Sequence, residues 1–208
     1  MFRGSFSQGL LGIFCGVALL SAAPVSAQMF SDGYKFLEAV KKKDGTEVTQ
    51  MLDKPGSTLV NSRDLTTGDS ALHMVTARRD LTWIRFLLGK GANPNIRNKK
   101  GETPLMIASQ LGFTDGVEAL AKAGAQVDNP NAAGETPLIA AVHRRDLSMM
   151  RVLLKAGANP DRNDNSGRSA MDYARLAGAG QELIDVIERN AKPENERENA
   201  GVTYGPRF

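Results

Sequence analysis

The chain has 208 residues, enough for one domain with a core of its own. Apolar residues make up 41% and charged residues 24%, the balance of an ordinary globular protein rather than of a disordered or fibrous one. A formal net charge of +3 is too small to point to nucleic acid, which would call for a basic stripe.

Residues 1–27 have the form of a secretory signal peptide. Arg3 supplies the positive start, Leu10 to Leu20 the apolar stretch, and Val25-Ser26-Ala27 a small-residue cleavage site just after the helix-breaking Pro24. The apolar stretch falls short of the roughly 20 residues that span a bilayer, so cleavage near Ala27 is expected rather than retention as an anchor. Cys15 follows Phe14, which is too large for the small residue that precedes a lipid-bearing cysteine. Cleavage removes this single cysteine, so an exported product holds itself together without a disulfide. It also removes Arg3, one of 26 basic residues, leaving 25 against 23 acidic ones.

Residues 28–64 predict two short amphipathic helices. Phe36, Leu37 and Val40 form one apolar face, and Val48, Met51 and Leu52 a second at helical spacing. Lys41, Lys42 and Lys43 then face solvent. An irregular, polar first unit suits the end of a stack, whose outer face meets water.

From here the chain repeats itself. Gly101-Glu102-Thr103-Pro104-Leu105 recurs as Gly134-Glu135-Thr136-Pro137-Leu138, with looser copies at Gly68-Asp69-Ser70-Ala71-Leu72 and Gly167-Arg168-Ser169-Ala170-Met171. The four glycines stand at a constant step of 33 residues, a period that signals stacked repeats. Three full units occupy 65–97, 98–130 and 131–163, a shortened one occupies 164–189, and residues 190–208 form a charged tail expected to stay flexible. Each full unit reads as turn, short helix, tight loop, second helix and glycine stop. Thr103 and Thr136 stand where a hydroxyl caps a helix start, with Pro104 and Pro137 in the first turn, where no N–H is missed. Asp80 and Asp146 stand at the starts of second helices, and Gly91, Gly124 and Gly157 where a helix ends in a left-handed residue.

This pattern resembles the ankyrin-repeat family, whose units run Gly-x-Thr-Pro-Leu-His, then Ala, Leu-Leu and Gly-Ala. The resemblance covers roughly residues 33 to 190 and implies an all-α fold, a solenoid of stacked helix-turn-helix units with hairpin-like turns. Two features depart from the family pattern. The histidine after leucine survives only as His73, which the resemblance expects to tie neighbouring turns together. The glycine between helices survives as Gly112 and Gly178 but is replaced by Arg79 and Arg145.

The repeat region has no metal-ligand cluster, nucleophile elbow or phosphate loop, so neither catalysis, nor a cofactor, nor a metal is expected. The resemblance implies a protein-binding module working through a concave groove of turn tips and first-helix ends. By register those positions are Thr66, Thr67 and Asp69; Lys99, Lys100 and Glu102; Ala132, Ala133 and Glu135; Asn165, Ser166 and Arg168 on the tips. On the helices they are Ala77 and Arg78; Gln110 and Leu111; His143 and Arg144. Arg78-Arg79-Asp80-Leu81 returns as Arg144-Arg145-Asp146-Leu147, and with Lys99 and Lys100 these arginines would line the groove with positive charge. A partner protein with an acidic surface suits such a stripe, because arginine pairs with carboxylates at two points. Trp83 is expected to pack between repeats. The signal peptide and the resemblance together point to an exported protein of the bacterial periplasm, monomeric, with no nucleic acid bound and no stable membrane insertion. The alternative is a small-ligand binder or enzyme using the same groove.

Overall fold

The computed structural model describes residues 31–178 and 180–197; the proposed signal peptide and the end of the tail, with Tyr204 and Phe208, lie outside the described residues. Among the described residues the regular structure is helical, with a lone bridge between Arg63 and Ser70 as the one β-type pairing. Five first helices run in chain order: α1 (Asp32–Lys42), α3 (Ala71–Ala77), α5 (Pro104–Gln110), α7 (Pro137–His143) and α9 (Ala170–Leu176). Each is followed by a second helix: α2 (Gly45–Leu52), α4 (Leu81–Gly89), α6 (Thr114–Lys122), α8 (Leu147–Lys155) and α10 (Gly180–Asn190). A short 3-10 turn, Leu59–Asn61, closes the first unit.

Side-chain caps start these helices where the sequence places them. Thr103 Oγ1 accepts from Met106 N at 3.3 Å and Thr136 Oγ1 from Ile139 N at 3.2 Å. Asp80 and Asp146 cap α4 and α8 through Trp83 N and Met149 N, at 3.2 and 3.0 Å. Such caps satisfy N–H groups that a helix start leaves without an intrahelical partner. The second helices end at Gly91, Gly124 and Gly157 with φ of 84°, 84° and 101°.

Between the two helices of a unit the chain needs one left-handed residue. Gly112 provides it at φ 64°, but Lys43, Arg79 and Arg145 take the same conformation at 60°, 56° and 52°. The shortened last unit differs: Ala177 leaves α9 in an extended conformation at φ −71°, ψ 129°, and Gly178 is not left-handed. An extended exit turns the chain directly, so that loop has no need of a left-handed glycine.

First helices stack on first helices, α1 on α3, α3 on α5, α5 on α7 and α7 on α9, while α4, α6, α8 and α10 stack in a second row. One continuous core runs between the rows. Leu72, Leu105 and Leu138 on the first helices, with Leu87, Leu120 and Leu153 on the second, are all at most 1% exposed. No unit hides its apolar stripe alone; each relies on its neighbours. The molecule is an all-α repeat solenoid. Past α10, a further short helix, α11 (Glu194–Arg197), begins right after Pro193, within the segment expected to lack order. Glu194 and Glu196 sit in its first turn, where negative charge complements the helix dipole. No helix among the described residues is long and apolar enough to cross a membrane.

Candidate functional site: the concave groove

The turn tips are built on side chains that fold back onto their own backbone. Asn98 Oδ1 accepts from Lys100 N and Glu102 N at 2.9 and 3.0 Å. Asn131 Oδ1 does the same for Ala133 N and Glu135 N, again at 2.9 and 3.0 Å. Asp164 accepts from Ser166 N and Arg168 N at 2.8 and 3.1 Å, and Asp64 from Thr66 N and Thr67 N at 2.8 and 2.9 Å. Short Asn and Asp side chains favour such turns because they reach the backbone two residues on. The N–H groups of Thr67 and Thr66 hold the Asp64 carboxyl below its usual range.

His73 joins one tip to the next. Ser70 N donates to Nδ1 at 3.1 Å, so Nε2 carries the ring proton and donates to the Glu102 carbonyl at 3.0 Å. Burial pulls this histidine below its ordinary value of 6.5, against the opposing pull of the Glu102 carbonyl. The tie between turns that the resemblance implied is present at this one seam.

The groove's main hollow has a volume of about 510 Å³. Thr66, Thr67, Asp69, Ala77, Lys99, Lys100, Glu102, Gln110 and Leu111 line it, half of the positions carried over by register. Asn98 and Ile107 complete the lining. Asn98 had a sequence signal, since Asp64, Asn98, Asn131 and Asp164 recur at nearly the repeat period. Asp69 and Glu102 both accept from Asn98 Nδ2, at 3.0 and 3.2 Å, so the acidic side chains are drawn into the tip scaffold. Lys99 Nζ donates to the Leu65 carbonyl at 2.6 Å, while Lys100 stands exposed.

A second hollow of about 400 Å³ shares Thr66 with the first and continues towards the N-terminal end, past Tyr34, Leu37 and Leu65. Leu65 is 91% exposed and Tyr34 44%. The periodic reading passed over Leu65 because it precedes the tip positions it tracked.

The other register positions fall outside the main hollow. Arg78 is half-buried: Nη1 donates to the Val40 carbonyl at 2.7 Å, Nε lies 3.4 Å from Asp80, and the guanidinium sits 5.4 Å from the Trp83 ring centre. Arg144 Nη1 donates to the Gln110 carbonyl at 3.2 Å, and Arg79 Nη2 donates to the Leu111 carbonyl. Three of these four arginines, Arg78, Arg79 and Arg144, therefore tie their unit to a neighbour at the ends of first helices. Trp83 packs edge-on to Phe86 with ring centres 5.6 Å apart, against the shared core.

Glu135, His143 and Ser166 form a separate group at the C-terminal end of the groove. His143 Nδ1 lies 3.2 Å from Glu135 Oε1, and its ring meets Tyr173 edge-on at 4.5 Å. Tyr173 donates to Asp164 at 2.7 Å, and Ser166 Oγ donates to the same carboxyl, also at 2.7 Å. Those two hydroxyls hold Asp164 far below the usual carboxylate range. Asn165 reaches back to the Ala132 and Ala133 carbonyls, at 3.1 and 3.2 Å, and Arg168 is exposed. Among the described residues, no group of three or more histidine, cysteine, aspartate or glutamate side chains is arranged to hold a metal ion.

Comparison with known proteins agrees with this geometry. A family description of ankyrin repeats in three copies matches residues 36–131, and a second, of ankyrin repeats in many copies, matches residues 120–174. The chain is 48% identical over 50 residues, 24% of its length, to the nuclear factor NF-kappa-B p110 subunit of Drosophila melanogaster. It is 26% identical over 102 residues, 48% of its length, to oxysterol-binding protein homolog 1 of Saccharomyces cerevisiae. A third likeness, 34% identity over 77 residues and 37% of the chain, is to human diacylglycerol kinase iota. The matches cover only 5%, 9% and 7% of those proteins, so the chain spans less than a tenth of each. Helix pairs stacked in sequence order, hairpin tips bonded across two of the seams and two family matches that together run from residue 36 to residue 174 make this chain an ankyrin-repeat protein.

Proposed function

We propose that this chain is a non-enzymatic binding module that holds another protein in its concave groove and works outside the cytoplasm. The observation that carries the reading is the open hollow of about 510 Å³ lined by residues that differ from unit to unit at equivalent positions. Residues that repeat hold the stack; those that vary are left to select a partner. The tips are braced by their Asn and Asp side chains, so little backbone order is lost on binding and a few central side chains dominate affinity. Gln110, Leu111 and Lys100 are the central candidates. A partner surface bearing carboxylates would meet Lys100 and Arg144, both exposed, the second beside Gln110. The signal-like residues 1–27 support export with cleavage near Ala27 and the bacterial periplasm as the compartment.

The test is a photo-activated crosslinker placed at Gln110 in the native compartment, with Glu118 on the opposite, second-helix side as the control. A discrete protein adduct from Gln110 and none from Glu118 supports the groove; equal yields from both sites, or none, reject it. N-terminal sequencing of the recovered protein checks the export reading, which requires a start near Gln28 and fails on an intact Met1.

A further inference from the structure

Successive hairpin tips form a ladder with one rung left open. Lys99 N donates to the Thr67 carbonyl at 2.9 Å, and Asn165 N to the Ala133 carbonyl at 3.2 Å. The same register calls for a bond from Ala132 N to the Lys100 carbonyl, and among the described residues that bond is missing. The glycines report the spacing independently. A Cβ built on Gly68 would lie 2.9 Å from Lys99 N, and one on Gly134 2.6 Å from Asn165 N. From Gly101 the corresponding distance to Ala132 N is 3.7 Å, so the tips stand further apart at the unbonded rung.

Side chains follow the same division. Lys99 Nζ reaches the Leu65 carbonyl at 2.6 Å and Asn165 Nδ2 the Ala132 carbonyl at 3.1 Å. Ala132 has only a methyl group and makes no such link. Exposed arginines span what is left: Arg97 Nη1, anchored on the Gly101 carbonyl of its own tip at 2.9 Å, reaches the Pro130 carbonyl beside the next tip at 2.6 Å, and at the first-helix ends Arg144 Nη1 reaches the Gln110 carbonyl at 3.2 Å. Below the tips the seam is shut: α5 packs on α7, α6 on α8, and Ser109 Oγ donates to the Pro137 carbonyl at 3.0 Å.

We infer that the solenoid is hinged between units 98–130 and 131–163, closed at its helical base and free to part at its tips. Units 65–130 and 131–189 are the two stiffer halves, each with its own closed rung. Parting at the seam widens the groove next to Lys100 and Leu111 and lets one sequence accept surfaces of different curvature. This hinge stands on the ladder geometry and holds whether or not the groove takes a protein.

Residue-resolved hydrogen exchange on the full chain tests it without a ligand. The Ala132 amide should exchange roughly tenfold faster or more than those of Lys99 and Asn165, because ladder-bonded amides exchange only on opening. Ala132→Asn, which supplies the carboxamide that Asn165 uses one rung later, should slow exchange at position 132 and leave the Lys99 amide unchanged. Equal protection at all three wild-type amides, or an unaltered rate at position 132 in the variant, overturns the hinge.

Discussion

Replacing Arg145 by glycine should stabilise the protein, although it deletes a side chain and replaces no contact. Arg145 holds φ at 52° and Arg79 at 56°, a conformation that costs an L-residue about 1–2 kcal/mol. Glycine adopts it freely but loses about 0.4–1 kcal/mol through the greater freedom of the unfolded chain. The difference, about 0–1.6 kcal/mol, predicts a gain centred on roughly 0.8 kcal/mol for Arg145→Gly, at roughly 2–4 °C in Tm per kcal/mol for a domain of this size. At Arg79 the same backbone relief applies, but the bond to the Leu111 carbonyl goes with the guanidinium, a net loss of about 0.5–1.5 kcal/mol. Arg79→Gly should therefore come out near zero or slightly destabilising. Gly112→Ala runs the argument backwards: φ is 64°, and the new Cβ would lie 2.5 Å from an Arg144 nitrogen, at the yielding end of a long side chain. A loss of about 1 kcal/mol is expected there. Urea unfolding of the three variants, with unchanged m-values as the check that each unfolds as one unit, measures all of this. If Arg145→Gly destabilises, left-handed strain is not what sets the sign. If Arg79→Gly gains as much as Arg145→Gly, the tie to Leu111 contributes nothing.

Leu120→Ala should cost about 2–5 kcal/mol in the same assay, since Leu120 is fully buried between the two rows of helices; a change near zero would refute the stacking register. Thr76 and Ser109 stand one period apart, but only Ser109 Oγ finds a partner, the Pro137 carbonyl at 3.0 Å, while Thr76 Oγ1 is buried with none. Thr76→Val should therefore be neutral or stabilising by about 1 kcal/mol, whereas Ser109→Ala loses about that much; a clear loss at Thr76 would mean its hydroxyl is satisfied after all. His73 is held below its ordinary value of 6.5 by burial, so between the two values the unfolded chain binds the extra proton. Its contribution to stability is complete above pH 6.5 and is lost as pH falls below it, and His73→Asn should flatten that part of the Tm profile. Equal slopes in the two proteins would rule the histidine out as the source.

The difference between what the residues disclosed and what they concealed follows from the range of the forces involved. Caps, glycine stops and the apolar stripe are local, and Thr103, Asp146 and Gly124 could be placed from their own neighbourhoods. The groove positions followed from the period alone, which is why half of them line one hollow. The arginine doublets behaved differently. Read along the chain, Arg78 and Arg144 are two charges at equivalent groove positions, and charge at a groove suggests a partner. In space each arginine is long enough to cross to the preceding unit, and the acceptors it meets there are carbonyls in the last turn of a first helix. Arg78 takes that of Val40 and Arg144 that of Gln110. Which acceptor lies within reach depends on the spacing between stacked helices, a quantity that no single unit encodes. The open rung at Ala132 has the same origin. An alanine at a turn tip is unremarkable by itself; it becomes informative only beside Lys99 and Asn165, when the neighbouring tip is seen to stand too far off to bond.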